Sequence, residues 1–424
     1  MRFEFAIAIR DVTPPPGLPM GGYAARAGVS EGVLDPLRCR VALLSDGDAA
    51  VVVVLLDLVY VSQEWVKPVR EQIARSLGCA PANVLIAATH THAGPAVFRS
   101  GMVDCDALRL YERQTAAAAL RAVDEARQRL QPATLALGRA TVTGVGAGRR
   151  ETPGGTEAPV DVLLATTPSG TRIGAIAVFG CHPTVLPAAN LLYSADLFGA
   201  AERAAEERIE APVLLCNGAA ADVSTRFTRR EQTAGEVKRL GEMLGGGISR
   251  ASSLAVPVRS TPLRGKLESI GVRAVRIPPR EEAEEKVASA ARRLQEVRSS
   301  GAPGGQERVA ASHLEGALAQ LLLCTAGGPE ALLGRTPDRA VLQLIQIGDC
   351  DILGVPGELF SATARQICAS RRREALLVGY ANDYLGYIVP LSICEEGGYE
   401  SLMAMIEPSS AEALAGQLAQ MRFD

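Results

Sequence analysis

Histidine is scarce in this chain, with four among 424 residues. Lysine is as rare, at four of 44 basic residues, a bias that reads as genome composition. Aromatic residues make up 4% and tryptophan occurs once. The nine cysteines are an odd number, scattered without a CxxC pair, which argues against a disulfide framework and for reduced thiols in a cytoplasmic protein. No excess of positive charge exists: 44 basic residues meet 47 acidic ones, for a net charge of -3. That excludes the basic footprint of a nucleic-acid-binding protein. Long hydrophobic runs are missing too. The longest, Ala49 to Val61, contains Asp57 and falls short of the ~20 residues of a bilayer span, so no transmembrane segment is expected. The amino end alternates like a strand and has no uninterrupted apolar stretch before a small-residue cleavage site, so it does not read as a signal peptide. What is present is ordinary for a soluble globular chain: 47% hydrophobic and 21% charged residues, enough to bury a sizeable core.

Strands alternate with helices through the first half. Val51 to Leu56 is a β-branched and leucine run, the mark of a strand buried on both faces. A helical pattern follows from Gln63 to Leu77, with Gly78 as its C-terminal cap. Val84 to Ala88 reads as a strand that runs into Thr89-His90-Thr91-His92. An Ala-rich helix over Asp104 to Leu130 leads to strands at Thr134 to Thr143 and Arg172 to Phe179. Ser194 to Ile209 reads as helix, Val213 to Cys216 as strand, and Arg230 to Met243 as a helix that breaks at Gly245-Gly246-Gly247. Pro278 to Arg298 and Glu307 to Leu323 form two charged helical stretches inside a helical insertion over 278–335. Strands return at Val341 to Ile347 and Ile352 to Val355, with a helix starting near Ser361. No internal repeat is legible. The pattern predicts an α/β fold with a layered, mixed β-sheet, built as one catalytic unit over residues 1–424.

Three of the four histidines sit at strand ends beside turn residues: His90, His92 and His182. Residues two apart on a strand face the same way, so a strand continued through His90 and His92 aims both into one cleft. His182 follows the strand ending at Phe179, and Pro183 stops further pairing. Converging neutral imidazoles suit zinc, whereas each taken singly reads as a hydrogen-bonded turn residue. Two more clusters follow strands. Cys216 to Ser224 is a small-residue loop that leaves Asp222 and Ser224 exposed at its tip. Val355-Pro356-Gly357-Glu358 offers a carboxylate that either binds metal or complements the helix at Ser361. Asn382 to Tyr387 holds two of the eight tyrosines, which suggests a lined pocket.

THTHAGP, CHPT, YSAD (Tyr193 to Asp196), NGAAADVS, VPGE and NDYLGY occur in the order found in neutral ceramidases and their shorter bacterial relatives. The chain resembles that family from Asp11-Val12-Thr13 to about Tyr399-Glu400. The resemblance implies a zinc-dependent amidase cleaving an N-acyl bond, with a small or lipid-like N-acyl substrate. It makes His90, His182, Glu358 and Tyr387 the zinc ligands and puts His92 beside the metal. Asp222 and Ser224 match the family's GDVS loop at the scissile bond, with Ala221 in place of its glycine. Arg149 or Arg150 matches a substrate-facing arginine, and Tyr384 joins them in orienting substrate. Proton handling falls to His92 or Asp222.

The chain ends where larger ceramidases continue into an immunoglobulin-like domain, which implies a substrate other than ceramide itself. Other classes stay open on the residues alone. A serine hydrolase on Ser224 lacks a GxSxG elbow. An ester or lactam hydrolase, acyl transfer on the same zinc site, and a non-catalytic metal-binding homologue all use the same residues. A homo-oligomer is equally compatible with the sequence.

Overall fold

The run at Ala50–Leu56 is buried on both sides because its alternate residues enter two different cores. Val51, Val53 and Leu55 join one apolar cluster, and Val52, Val54 and Leu56 the other, as the period-two geometry of a strand requires. The computed structural model describes residues 3–23, 25–98, 105–150, 157–302 and 304–423. The expected helix start at Asp104 lies outside these residues.

Three sheets carry the molecule. The first holds β1 (Glu4–Asp11), β2 (Arg38–Ser45), β3 (Ala50–Leu56), β4 (Val84–Ala88) and the short β5 (Gln131–Pro132), in the order β4-β3-β2-β1-β5. The second holds β6 (Thr134–Thr143), β7 (Glu157–Thr166), β8 (Arg172–Phe179), β9 (Val213–Asn217) and β10 (Val256–Val258), in the order β9-β8-β7-β6-β10. The third holds β11 (Leu263–Gly271), β12 (Arg339–Ile347), β13 (Cys350–Gly354) and β14 (Glu374–Val378), in that order.

Within each sheet the same unit recurs. Three strands pair antiparallel in succession, a helix follows, and a fourth strand returns parallel to the third. The helices are α1 (Gln63–Leu77) in the first unit and α3 (Asp196–Ile209) in the second, with α7 (Ser361–Ala369) closing the third. A threefold structural repeat therefore exists that the sequence does not display. One face of every sheet enters a shared core, with Phe5 and Val53 from the first, Ile176 and Leu214 from the second, and Ile345 and Leu376 from the third. Helices cover the outer faces: α1, α2 (Asp106–Gln128), α3 and α4 (Ala234–Ser253) on the first two sheets, α7 and α8 (Pro408–Gln420) on the third.

The glycine break expected after Met243 does not occur, since α4 runs through Gly245-Gly246-Gly247 to Ser253. The glycines serve close packing. A Cβ on Gly241 would lie 2.5 Å from that of Ala200 in α3, one on Gly245 2.7 Å from that of Ala204, and one on Gly247 2.4 Å from Val142 Cγ2. Tertiary contact at that closeness outweighs the roughly 1 kcal/mol that each glycine costs a helix.

Two helices, α5 (Arg280–Ser299) and α6 (Gly304–Ala326), pack on each other. By length and composition alone, residues 305–326 would suffice to cross a bilayer, which amends the expectation that no segment could. In the structure Ala317 and Leu323 are buried while Leu318 and Leu322 are exposed.

Below the third strand of the first unit lies a buried ionic cluster. Arg40 of β2 reaches Asp57 at 3.0 Å and also pairs with Glu202 of α3, and none of the three side chains is exposed. Asp57 further accepts the Arg38 amide at 2.7 Å and the Thr89 hydroxyl at 3.2 Å. Glu202 accepts the amide of Leu215 in β9 at 3.0 Å. The cluster thus ties sheet one to sheet two directly behind His90.

Candidate metal centre

Each unit delivers its chemistry from the carboxyl edge of its two parallel strands, where peptide groups run out of partners and side chains face an open crevice. Beyond β3 and β4 come Asp57 and Thr89 to His92. Beyond β8 and β9 come His182 and Asn217 to Ser224. Beyond β13 and β14 come Glu358 and Tyr380 to Tyr387. Asn217 stitches these edges together. Its amide donates to the carbonyls of Thr89 (3.1 Å) and Cys181 (3.2 Å), its side-chain oxygen accepts the Cys181 amide, and its own carbonyl accepts the Gly379 amide at 2.9 Å. The Ala88 amide donates to the Tyr380 carbonyl at 3.2 Å.

The strand does not continue through the two histidines. Strand β4 ends at Ala88, and His90 adopts a left-handed backbone with φ 69°, its amide bonded to the Leu58 carbonyl at 2.9 Å. Tyr380 and Asn382 on the facing edge are also left-handed, at φ 53° and 69°. Such conformations cost energy and persist only where the surroundings hold them, which is common at functional sites. The turn still brings the imidazoles together. His90 and His92 approach Nε2 to Nε2 at 3.2 Å, and the ligand nitrogens of His90, His92 and His182 all lie within 4.8 Å of one another, so the three can hold a metal ion.

Backbone carbonyls set the ring orientations. His90 Nδ1 lies 2.6 Å from the Val59 oxygen and His182 Nδ1 2.7 Å from the Ala220 oxygen. Both rings therefore donate through Nδ1–H and leave the Nε2 lone pair free toward the centre, the arrangement that orients metal-ligating histidines. Burial lowers the His90 pKa to about 4 and pushes that of His92 well below the usual histidine range, so both rings are neutral and able to donate a lone pair. The Nδ1 of His92 is buried without a partner among the described residues. The loop before it leaves no slack: Gly22 has φ +95°, and a Cβ there would sit 2.5 Å from His92 Cγ.

Glu358 stands opposite, 2.9 Å from His182 Nε2 and 3.8 Å from His90 Nε2. Burial raises its pKa, but the neighbouring His90 and His182 rings and the Tyr384 hydroxyl outweigh that and bring it to about 2. It is thus a carboxylate in a dry pocket, held by groups that favour its charge. Tyr384, expected to orient substrate, donates to Glu358 Oε1 at 2.6 Å and stacks on Tyr60 at 4.5 Å between ring centres. The hydroxyl of Tyr387 lies 3.2 Å from His182 Nε2 and accepts from Arg149 Nη2 at 2.8 Å. Burial drives the phenols of Tyr380, Tyr384 and Tyr387 well above the ordinary tyrosine range. Tyr380 was not singled out in the sequence, yet its ring stacks on His90 at 4.0 Å and its hydroxyl lies 3.5 Å from Glu358. The only sequence signal was its place two residues beyond β14.

Of the paired arginines, Arg149 is the one that reaches the site. It is buried, bonded to Tyr387 and paired with Glu400 at 3.0 Å. Arg150 turns to Glu400 and Glu396. The loop expected to expose Asp222 and Ser224 is folded in instead. Ser224 is buried, bridged to His182 through the backbone, and its hydroxyl accepts the Arg226 amide at 3.2 Å. Asp222 is half-buried and its carboxylate caps α7, accepting the amide and hydroxyl of Ser361, both at 2.7 Å. It faces a cavity of about 870 Å³ lined by Gly146, Arg139 and Arg365 rather than by any histidine. The carboxylate expected to move protons is therefore engaged elsewhere, while the helix-capping role raised for Glu358 belongs to Asp222. Ala221, in place of glycine, is accommodated: it packs with Phe360 and Tyr387 in an apolar cluster. Asp196 holds the segment after His182 through the amides of Val185 and Leu186, at 3.2 and 3.0 Å. Cys181 is buried, its thiol pushed up by burial, as a small apolar residue would be.

Residues 3–215 match the N-terminal domain of the neutral/alkaline non-lysosomal ceramidases. The fold is that of a neutral ceramidase from Pseudomonas aeruginosa, with a TM-score of 0.77 at 18% identity over 99% of this chain and 74% of that one. A ceramidase complexed with C2 is similar, with a TM-score of 0.75 at 17% identity over 99% and 75% of the two chains. No curated protein matches.

Proposed function

Because the chain belongs to the neutral/alkaline non-lysosomal ceramidase family, we propose that it is a zinc-dependent amidohydrolase that cleaves a linear N-acyl amide. The observation that carries this reading is the convergence of three imidazoles, two of them locked through Nδ1 on backbone carbonyls. Nitrogen donors beside one carboxylate suit zinc better than the oxygen-seeking cations calcium or magnesium. We assign His90, His182 and Glu358 as the ligands that hold the metal, with Tyr387 as a weak fourth that swings to the substrate oxygen. When bound, zinc supplies Lewis acidity and a water of lowered pKa.

The chain's own residues do the rest. His92, neutral and with Nδ1 unpartnered, takes a proton from the attacking water and returns it to the amine nitrogen as the C–N bond breaks. Tyr387 presents its hydroxyl to the oxygen that gains negative charge, held in place by Arg149. Tyr384 and Tyr380 keep Glu358 oriented. Ser224 and the backbone of the 217–224 loop form the wall behind His182.

Chelation tests the reading. Removing metal is expected to abolish hydrolysis of N-acyl amides, and added zinc to restore it; activity that survives chelation with the metal shown to be gone overturns it. Replacing Tyr387 with Phe should lower kcat by about 10²-fold, the loss typical of one oxyanion donor, with zinc content unchanged. Equal losses of zinc and turnover would instead make Tyr387 a ligand and nothing more.

A further inference from the structure

Among the described residues most of the deeply buried arginines meet a carboxylate, Arg70 being satisfied instead by the Asn382 side-chain oxygen and the Val84 carbonyl, but three near the histidine centre do not. Arg40 meets Asp57 and Glu202, Arg371 meets Asp351, and Arg149 meets Glu400. Arg26, Arg226 and Arg229 are each half-buried at the rim of the histidine centre, and none has a carboxylate within ion-pair distance among the described residues. Their hydrogen bonds go to neutral oxygens. Arg26 donates to the Gly21 and Ala188 carbonyls at 2.6 and 3.2 Å. Arg229 donates to the Thr184 carbonyl, two residues beyond His182, at 2.9 Å and to the Thr225 hydroxyl at 3.3 Å. Arg226 donates to the Arg149 carbonyl and the Ser312 hydroxyl at 3.1 and 3.0 Å.

A guanidinium carries five N–H donors and a charge that cannot be shed. Half-buried charges without a counter-charge are costly, and here three stand together. Arg26 is the most telling. Its Nη2 is buried without a partner, and the guanidinium lies 5.1 Å from the centre of the Tyr23 ring, which in turn meets the His92 ring edge-on at 4.8 Å. An unused Nη2 donor therefore sits one ring away from the residue assigned to handle the proton. Glu315 of α6 lies near Arg226 without pairing with it, and its carboxyl is pushed up by burial.

We propose that the missing counter-charge arrives with the substrate, which is an N-acyl amide carrying a compact anion close to the scissile nitrogen, such as an N-acyl amino acid. The proposal rests on the amidase reading and deepens it. In such a molecule the carboxylate is two bonds from the nitrogen. With the acyl carbonyl over the histidines, that carboxylate reaches the Arg26–Arg229 side, where a planar fork suits it. A neutral amide leaves the three charges unanswered.

The test compares three amides with the same twelve-carbon acyl chain: N-dodecanoylglycine, N-dodecanoyltaurine and neutral N-dodecanoylethanolamine. The acylglycine is expected to show kcat/KM at least about tenfold above the ethanolamide, the factor of one charge-assisted contact. Arg26→Gln and Arg229→Gln should each cut that ratio about five- to tenfold, and Arg229→Lys should recover part of it. Equal preference for the taurine conjugate means that any compact anion is recognised, whereas preference for glycine alone means a carboxylate. A ratio near one, or a ratio untouched by both Gln variants, overturns the proposal. If all three amides are inert, the amidase reading has failed, and calorimetric binding to the metal-stripped protein decides the anion site by itself. Tighter binding of the acylglycine that weakens in both variants upholds it; equal binding of the acylglycine and the ethanolamide ends it.

Discussion

Alanine at His90 is expected to remove bound metal and turnover together, lowering kcat/KM by about 10³-fold or more, equivalent to roughly 4 kcal/mol of barrier. The ring is one of three whose ligand nitrogens converge at the centre, and its Nδ1 bond to the Val59 carbonyl at 2.6 Å holds Nε2 toward that centre, so the variant loses an oriented donor. Two causes of failure must be separated. His90 is left-handed at φ 69°, a conformation that alanine resists and asparagine tolerates. His90→Asn should therefore fold like the parent yet still lose metal, measured by elemental analysis of the purified protein. If the Asn variant keeps both zinc and activity, the centre is not where the imidazoles converge.

Replacing Arg40 with Met should be the most damaging single change outside the centre. Arg40, Asp57 and Glu202 all have fully buried side chains, and burial pushes the Glu202 carboxyl up to about 8 even beside the guanidinium. Removing the cation strands two carboxyl groups in the interior. Breaking a buried pair this way costs about 3–5 kcal/mol, which appears as a fall in Tm of roughly 3–6 °C or as loss of soluble protein. Arg259→Ala is the control, because its pairing with Asp349 is exposed and surface pairs contribute little. Calorimetry showing equal Tm for the two variants would sink the account. Since Asp57 also receives the Thr89 hydroxyl at 3.2 Å, the residue next to His90, an Arg40→Met protein that does fold should also bind metal less tightly.

Much of this was readable along the chain, for definite reasons. The strands Val84–Ala88, Thr134–Thr143 and Arg172–Phe179 and the helix Gln63–Leu77 lie where periodicity and caps place them. Their signals are local: β-branched runs, turn residues, and a glycine that can turn left-handed. The strands missed were Arg38–Ser45, Glu157–Thr166 and Leu263–Gly271, which carry arginine, aspartate, proline or lysine within them and so lose a clean pattern. The glycines of α4 misled because propensity is a local quantity, and their purpose is contact with Ala200, Ala204 and Val142, all far from them along the chain.

Sequence alone picked out the residues that the structure brings together: scarce histidines at strand ends, a carboxylate after an apolar strand, and a tyrosine pair, in an order that resembles one family. It determined the α/β class as well, because hydrophobic period is written residue by residue. The tertiary structure decided what each group faces. It turned Asp222 away to cap a helix, gave Tyr384 and Tyr380 to Glu358, chose Arg149 over Arg150, and left Arg26 with an idle donor. It also revealed three copies of one strand–helix unit that bring His90 and His92, His182, and Glu358 respectively to the common centre. A repeat of backbone hydrogen bonding needs only a repeat of apolar spacing, which many unrelated residues satisfy. Orientation depends on contacts between positions as many as 300 residues apart, and no local pattern encodes those.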